Sequence, residues 1–223
     1  MLKIGHRGAR AYAPENTITS FKKAVEMGVD AIELDVRRTK DGQIVVIHDE
    51  DVKRTTNGSG LVSELTLDQV KSFKTEGNET IPTLDEALEF IGKKVKIILE
   101  LKETGTERQV LDCISQKKLL KNVVLASFLE DALKKVHEIN PDVETGLIYA
   151  KHKNPLKAAL DLNAKYLLAF YRFVHTANVQ KAHESGLKLI AWTINTREEA
   201  ETYAKKGVDG IATDKPDILK EIK

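Results

Sequence analysis

The side chains that could perform chemistry lie at the ends of predicted strands. They are two histidines, three carboxylates and two cations: His6, His48, Glu33, Asp35, Glu100, Arg7 and Lys102. Histidines transfer protons near neutral pH, carboxylates offer hard oxygen ligands to a metal ion, and arginine and lysine bind phosphate. This combination of side chains predicts cleavage of a phosphodiester at a divalent cation.

The second predicted strand carries two of the carboxylates on one face. In the segment Ala31–Arg37 the residues alternate, so Glu33 and Asp35 point the same way, roughly 6–7 Å apart along the strand. The intervening Leu34 and Val36 point into apolar packing on the other face. Two carboxylates on an interior face repel each other and lose hydration, so a cation is expected between them. The alternative is an edge strand on which both face solvent.

A hairpin is predicted to bring His48 to the same place. Asp41-Gly42 between two β-rich runs is typical of a two-residue hairpin turn, which pairs Lys40 with Gln43. The same register puts His48 opposite Asp35, with their Cβ atoms about 5 Å apart on one face. His48 is therefore expected beside the carboxylate pair in a catalytic role. The alternative is the structural role that is common for a histidine at a strand end.

The remaining candidates end two other strands. His6 and Arg7 follow the first strand with a glycine on either side, and glycine lets substrate or backbone approach closely. Glu100 and Lys102 alternate onto one face at the end of the strand Ile97–Leu101, which adds a third carboxylate and an ammonium group. In a barrel, the carboxyl ends of the strands and the loops that follow them build the active site.

The carboxylates predict one divalent cation as cofactor. Hard oxygen ligands without cysteine suit Mg²⁺, Ca²⁺ or Mn²⁺ better than Zn²⁺. The single cysteine, Cys113, lies in a helical pattern and is expected to be a small buried group.

Three aromatic residues near strand ends are candidates for the pocket wall: Phe128, Phe170 and Trp192, which is the only tryptophan. Core packing is the alternative for each of them. The other four histidines, His137, His152, His175 and His183, have no neighbours at ligand spacing and are expected to be structural or exposed.

Short β-rich apolar runs alternate with helical patterns along the chain. Strands are predicted at Leu2–Gly5, Ala31–Val36, Val95–Leu101, Val123–Ser127, Thr145–Tyr149, Tyr166–Phe170, Lys188–Ile194 and Gly210–Thr213. Several are apolar on both faces, as parallel strands covered by helices should be. About eight β–α units predict an α/β fold, the (β/α)8 TIM barrel. A doubly wound open sheet is the alternative, although the first strand is not followed by its usual G-x-G-x-x-G turn.

Start and stop signals mark the predicted helices. Capping boxes are expected at Thr83-x-x-Glu86, Thr106-x-x-Gln109 and Thr196-x-x-Glu199, and stop signals at Gly28, Gly92, Gly186 and Gly207. The alternation of strand and helix patterns is interrupted between His48 and Pro82, where only a short helix, beginning at Thr66-x-x-Gln69, is predicted. We expect one domain over residues 1–223, with residues 49–82 as a short inserted subdomain over the pocket mouth. A solvated insertion without a role in the chemistry is the alternative.

Composition argues against some classes of partner. The 223 residues carry a formal net charge of +1, with 35 Lys and Arg against 34 Asp and Glu. A balanced surface gives no electrostatic reason to expect nucleic acid or stable membrane association. No signal peptide and no apolar run of about 18 residues are recognisable, so a cytoplasmic protein is expected. A monomer and a homodimer both remain open.

The candidate residues fall in segments that resemble the glycerophosphodiester phosphodiesterase family. The segments are Gly5-His6-Arg7-Gly8, Pro14-Glu15-Asn16-Thr17, Glu33-Leu34-Asp35-Val36, Thr39-Lys40-Asp41-Gly42, His48-Asp49, Glu100-Leu101-Lys102, Trp192-Thr193 and Thr213-Asp214-Lys215-Pro216. They span nearly the whole chain in the order of the family, which is far more specific than any one of them.

The resemblance implies a TIM barrel with an insertion after His48. It also implies hydrolysis of small glycerophosphodiesters, such as glycerophosphocholine or glycerophosphoethanolamine, to glycerol 3-phosphate and an alcohol. The implied roles are metal ligation by Glu33, Asp35 and Glu100, acid–base catalysis by His6 and His48, and phosphate binding by Arg7 and Lys102.

Several points stay open on the sequence alone. The nucleophile is either water or the glycerol 2-hydroxyl of the substrate, and either histidine could be the base. A lysophospholipase D-like activity is one alternative, and it would require an apolar entrance for an acyl chain. A non-catalytic barrel that binds a phosphate ligand is another, and it would be expected to lack one of the two histidines.

Overall fold

The computed structural model describes residues 1–222, so Lys223, the last residue of the predicted domain, lies outside the described residues. Within that range the strands are β1 (Leu2–His6), β2 (Ala31–Arg38), β3 (Ile44–Val46), β4 (Lys96–Leu101), β5 (Val123–Ser127), β6 (Glu144–Tyr149), β7 (Tyr166–Phe170), β8 (Lys188–Trp192) and β9 (Gly210–Thr213). Each predicted strand is present, with its ends within two residues of the predicted bounds.

Eight of the strands in residues 1–222 form a closed parallel barrel. Their order is β1-β9-β8-β7-β6-β5-β4-β2, and β2 pairs back onto β1, which closes the ring. This closure confirms the TIM barrel and excludes the doubly wound open sheet. The short strand β3 pairs antiparallel with β2 outside the ring.

Helices connect the barrel strands and cover them. They are α1 (Ile18–Glu26), α3 (Leu84–Ile91), α4 (Glu107–Gln116), α5 (Glu130–Ile139), α6 (Pro155–Asp161), α7 (Thr176–Glu184) and α8 (Arg197–Lys205), whereas the short helix α2 (Leu67–Ser72) belongs to the segment 49–82. None of the helices in the described chain has the length and apolar character that crossing a membrane would require.

The strand residues alternate between two buried layers. Along β4, Ile98 faces the barrel axis and packs with Ile4 and Ile190, while Ile97 and Leu99 face the covering helices. Both faces are apolar because both are buried, which is why the strands read as continuous apolar runs. Polar residues on the inner face lie at the two ends of the barrel: Asp35 and Glu100 toward the carboxyl ends of their strands, and Lys96 and Glu144, whose side chains lie 3.1 Å apart, at the amino ends.

Most of the predicted helix signals are confirmed. Thr83 and Thr66 form complete capping boxes, and the Thr196 side chain accepts a hydrogen bond from the amide of Glu199. The box at Thr106 was wrong. Thr106 already has helical backbone angles (φ −101°, ψ −10°), whereas a capping residue needs an extended conformation.

The loop between β2 and β3 differs from the prediction by one residue. The Thr39 amide donates to the carbonyl of Gln43 at 2.9 Å, which leaves a three-residue loop, residues 40–42, rather than the two-residue turn Asp41-Gly42. Gly42 has φ +82°. A left-handed glycine at the end of a three-residue loop is a common way to close a hairpin.

The longer loop shifts the register of the hairpin. Ile47, and not His48, lies opposite Asp35, and the Ile47 amide donates to the Asp35 carbonyl at 3.0 Å. The predicted pairing of His48 with Asp35 was therefore wrong. A shift of one residue also exchanges the two faces of a strand, so this register does not place the His48 side chain on the face of Asp35.

The segment 49–82 follows β3 and has a small apolar cluster of its own. Val52, Val62, Val70 and Ile81 are buried there against Val45 and Ile47. An isolated bridge between Asp51 and Leu61 and another between Thr56 and Thr75 hold its turns together. The segment is thus packed onto the hairpin that leads into it.

Candidate active site

A cavity of about 140 Å³ opens at the carboxyl end of the barrel. It is lined by Ile4, His6, Arg7, Glu33, His48, Ile98, Glu100, Lys102, Phe128, Ile148, Leu168, Ile190, Trp192 and Ala212. The polar members are residues that the sequence singled out. The apolar members come from the inner face of the barrel, so a charged rim lies above an apolar floor.

Three carboxylates meet at one side of this cavity. Strand register explains the meeting, because His6 of β1 lies beside Glu33 of β2, and Asp35 lies beside Glu100 of β4. One oxygen from each of Glu33, Asp35 and Glu100 lies within 4.8 Å of the other two. All three residues are buried.

Burial and mutual repulsion dominate the electrostatics of these carboxylates. Burial and the charge of Asp35 raise the pKa of Glu33 well above its ordinary value and raise the pKa of Glu100 to about 7. Burial also acts to raise the pKa of Asp35, but the cations of Arg7 and Lys102 outweigh it and lower that pKa. Three carboxylates this close cannot all ionise cheaply without further positive charge.

The cluster fits a hard divalent cation. Its donors are carboxylate oxygens, and Asp35 Oδ1 is a buried atom for which the described residues provide no hydrogen bond. A buried acceptor without a partner is costly, and a bound cation would satisfy it. Glu33, Asp35 and Glu100 are therefore the residues that could hold the metal.

His6 ends β1 and is held by a carboxylate from the far end of the chain. Its Nδ1 lies 2.7 Å from Asp214 Oδ1, and its Nε2 lies 3.9 Å from Glu33 Oε2. Asn195 donates to the second oxygen of Asp214 at 2.8 Å. The ring is thus oriented with Nε2 toward the carboxylate cluster.

His48 lies in the cavity although its predicted pairing was wrong. The chain leaves β3 at Val46 and bends, and Arg37 Nε donates to the His48 carbonyl at 2.9 Å. The His48 Nδ1 lies 2.6 Å from Asp49 Oδ1. Burial lowers the pKa of His48, against the opposing attraction of Asp35.

Arg7 is fixed between several carboxylates. Its backbone lies in the left-handed region (φ +53°), which is costly for a residue other than glycine and is found mostly at functional sites. In this conformation the Arg7 amide donates to Glu33 Oε2 at 2.9 Å. The guanidinium contacts Glu15 (Nη1, 2.8 Å) and Asp35 (Nε, 3.3 Å).

Lys102 follows β4 and contacts the other side of the cluster. Its Nζ lies 2.6 Å from Glu100 Oε1 and 3.6 Å from Asp35 Oδ1. Two cationic side chains, Arg7 and Lys102, therefore flank the carboxylate cluster at the cavity.

Two of the three predicted aromatic residues line the cavity. Trp192 is oriented by a hydrogen bond from Nε1 to the carbonyl of Leu168 (3.0 Å), and the edge of Phe128 packs against it at 5.8 Å between ring centroids. Phe128 is 44% exposed, so it lies at the rim. Phe170 is not among the lining residues and packs 5.4 Å from Trp192, as a support for that ring.

Four residues of the site were quoted in the sequence motifs but given no role there. They are Glu15, Asn16, Asp49 and Asp214. Asn16 donates to Asp35 Oδ2 at 2.9 Å, and the half-buried Glu15 accepts from Arg7 Nη1 at 2.8 Å. Asp49 directly follows His48 in the chain, and this adjacency could have predicted that its carboxylate would contact the imidazole. The partnership of Asp214 with His6 needs the barrel to close and has no local signal.

The other histidines contact groups away from the cavity. His137 Nε2 lies 2.8 Å from Thr145 Oγ1, His183 pairs with Asp209, and His152 pairs with Glu130. His175 is exposed.

Comparison with known families identifies the chain's relatives. Residues 6–218 match the model of the glycerophosphoryl diester phosphodiesterase family. The chain belongs to this family. A glycerophosphodiester phosphodiesterase of Caldanaerobacter subterraneus subsp. tengcongensis is 39% identical over 232 residues, covering 98% of this chain and 96% of that protein. One of Bacillus subtilis is 33% identical, covering 100% of this chain and 86% of that protein.

Solved structures of family members have the same fold. A phosphodiesterase of Oleispira antarctica, in complex with the product sn-glycerol-3-phosphate, has a TM-score of 0.90 at 28% identity, covering 98% of this chain and 95% of that chain. A glycerophosphodiester phosphodiesterase of Thermotoga maritima has a TM-score of 0.84 at 26% identity, covering 100% and 99%. As a member of this family, the chain is a phosphoric diester hydrolase.

Proposed function

We propose that this family member hydrolyses small glycerophosphodiesters, such as glycerophosphocholine or glycerophosphoethanolamine, to glycerol 3-phosphate and an alcohol. The observation that carries the proposal is that two carboxylate-held histidines, His6 and His48, line the same cavity as the carboxylate cluster. The Oleispira antarctica relative, with sn-glycerol-3-phosphate bound as product, supports this choice of substrate.

We propose that Glu33, Asp35 and Glu100 hold one divalent cation, which is Mg²⁺, Ca²⁺ or Mn²⁺. Support comes from the unpartnered Asp35 Oδ1 and from the raised pKa values of Glu33 and Glu100, which added positive charge would lower. When bound, the cation supplies positive charge for the non-bridging phosphate oxygens.

The histidines act as the acid–base pair in this proposal. One removes a proton from the nucleophile and the other gives a proton to the leaving alkoxide. Asp214 and Asp49 accept from the Nδ1 atoms, which leaves Nε2 of each ring for the substrate. The base is then a neutral ring with a free Nε2, and the acid is an imidazolium that carries on Nε2 the proton it donates.

The cations and the aromatic rim bind the substrate in this proposal. Arg7 and Lys102 attract the phosphate and neutralise charge that develops on it. Phe128 and Trp192 form the wall against which the organic part of the diester packs. Residues 1–223 act as one catalytic domain, with the insertion 49–82 beginning directly after His48 and supplying Asp49.

A panel of diesters tests the proposal. We expect release of glycerol 3-phosphate from glycerophosphocholine or glycerophosphoethanolamine. His6→Ala and His48→Ala should each lower kcat on the order of 10²-fold or more, whereas the control His175→Ala, at an exposed histidine outside the cavity, should keep wild-type turnover. Near-wild-type kcat in either histidine variant would remove that residue from the mechanism. Preference for lysophosphatidylcholine would favour the lysophospholipase D-like alternative.

A further inference from the structure

We propose that Arg54, in the insertion, is a positioning residue that holds His48 through Asp49. The proposal rests on the proposed function, in which His48 transfers a proton. The proposal gives the insertion a role in the chemistry that could not be predicted from the sequence of residues 49–82.

The first half of the argument is the contact between Arg54 and Asp49. Arg54 Nε donates to Asp49 Oδ2, while the other oxygen of the same carboxylate lies 2.6 Å from His48 Nδ1. One carboxylate therefore bridges the guanidinium and the imidazole. The hydrogen bond from Arg54 also lowers the pKa of Asp49, against the opposing effect of burial, which keeps that carboxylate ionised as an acceptor for the imidazole proton.

The second half is the contact between Arg54 and Glu15. The two Nη atoms of Arg54 donate to the two oxygens of Glu15, at 2.7 and 3.0 Å. Glu15 is only 9% exposed and also accepts from Arg7, so it is anchored on the loop between β1 and α1. A two-pronged guanidinium–carboxylate pair fixes orientation as well as distance. Arg54 is thus anchored to the barrel on one edge and to Asp49 on the other.

This arrangement gives His48 a support that β3 does not provide. The strand ends at Val46, so backbone pairing does not reach the histidine. The Asp49 side chain is itself 30% exposed, and Arg54 is the partner that holds its second oxygen. His6 differs, because its carboxylate Asp214 is held by Asn195 of the barrel.

Kinetics of Arg54 variants provide the first test. Arg54→Ala should lower kcat on the order of 10- to 100-fold, the scale for a misplaced catalytic group, with a smaller change in KM. Arg54→Lys should not restore kcat, because a single ammonium cannot bridge two carboxylates as the planar guanidinium does. Added guanidinium chloride, at concentrations that do not unfold the protein, should recover part of kcat in Arg54→Ala. Arg108→Ala, at an exposed arginine of α4, is the matched control and should behave as wild type.

A double-mutant cycle separates positioning of His48 from a general effect on the insertion. If Arg54 acts through His48, Arg54→Ala should cause no further loss of kcat in the His48→Ala background. Equal losses in the two backgrounds would mean that Arg54 acts elsewhere, for example through Glu15 and Arg7, and would overturn the proposal.

The tautomer of His48 gives a readout that does not require turnover. Long-range ¹H–¹⁵N NMR should place the proton of the neutral ring on Nδ1 in the wild type and show a mixture of tautomers in Arg54→Ala. A spectrum of Arg54→Ala with the wild-type tautomer would overturn the inference, whatever the activity. A wild type that releases no glycerol 3-phosphate would instead overturn the proposed function, and the NMR comparison would still decide the role of Arg54.

Discussion

Asp214 Oδ1 lies 2.7 Å from His6 Nδ1, although the two residues are 208 positions apart in the chain. The contact exists because β1 and β9 are neighbours in the closed barrel, where Gly5 pairs with Thr213. The carboxylate holds the ring with Nε2 toward Glu33. The strand pairing that closes the barrel therefore also brings Asp214 to the position from which it orients the His6 ring.

Asp214→Asn should lower kcat by at least about 10-fold, with the fold intact, because an amide does not select one tautomer of the His6 ring as a carboxylate does. Steady-state kinetics, with circular dichroism as a check of folding, measures this. Asp217→Asn, close by in the chain, is the matched control because Asp217 accepts from the exposed Tyr12 instead. Equal kcat in Asp214→Asn and Asp217→Asn would count against a positioning role for Asp214.

Glu15 should make the stability of the protein depend on pH in the acid range. Its arginine partners outweigh burial and lower its pKa from the ordinary 4.5 to about 2. The carboxylate therefore contributes stability above its unfolded pKa, and that contribution is lost as pH falls through its folded pKa. We expect Glu15→Gln to lose about 2–3 kcal/mol of unfolding free energy at pH 7, and the deficit to shrink below pH 4.5. Urea titrations at pH 7 and pH 3 measure both; a deficit that does not depend on pH would contradict this.

Gly8 and Gly42 provide a matched pair for testing how tightly the catalytic loop packs. Both have left-handed backbones, with φ +85° and +82°, but a Cβ on Gly8 would lie 2.4 Å from Ser20 Oγ, whereas a Cβ on Gly42 meets nothing within 4 Å. Gly42→Ala should cost roughly 1–2 kcal/mol, from backbone strain alone. Gly8→Ala should cost about 1–3 kcal/mol more, from overpacking against α1. Chemical denaturation measures the unfolding free energy of both variants. Equal losses would show that the loop at Gly8 can move to accommodate the added methyl group.

The sequence predicts the barrel well because both faces of each strand are buried. A parallel strand between an inner core and a layer of helices reads as an apolar run, and its charged exceptions are conspicuous. Glu33 and Asp35 interrupt such a run at alternate positions, so their common face followed from the period of the strand alone. Their meeting with Glu100 needed the strand register as well.

The position of His48 could not be derived correctly from local signals. Asp-Gly fits a two-residue turn, but the glycine also fits a three-residue loop whose last residue is left-handed. The strand pairings that follow from these two loops differ by one residue in register. His48 reaches the cavity because the chain leaves β3 before it and bends, which the hairpin pattern does not encode. The capping box at Thr106 failed for a similar reason: α4 does begin at Glu107, directly after Thr106, but the Thr106 backbone is already helical and its side chain makes no capping hydrogen bond.

The central claim is that the carboxylate cluster holds a cation needed for hydrolysis of glycerophosphodiesters, and reconstitution of metal-free protein tests it most directly. Glycerol 3-phosphate release and thermal unfolding would be measured on the same metal-stripped sample before and after addition of Mg²⁺, Mn²⁺ or Ca²⁺. We expect turnover to be absent before and present after addition, and the melting temperature to rise, since a ligand at 100 times its Kd adds about 2.7 kcal/mol of stability. Both responses should disappear in Glu33→Gln and persist in Glu26→Gln, at an exposed carboxylate of α1. Full turnover by the stripped wild type, with no change in melting temperature on adding any of the three cations, would contradict the claim.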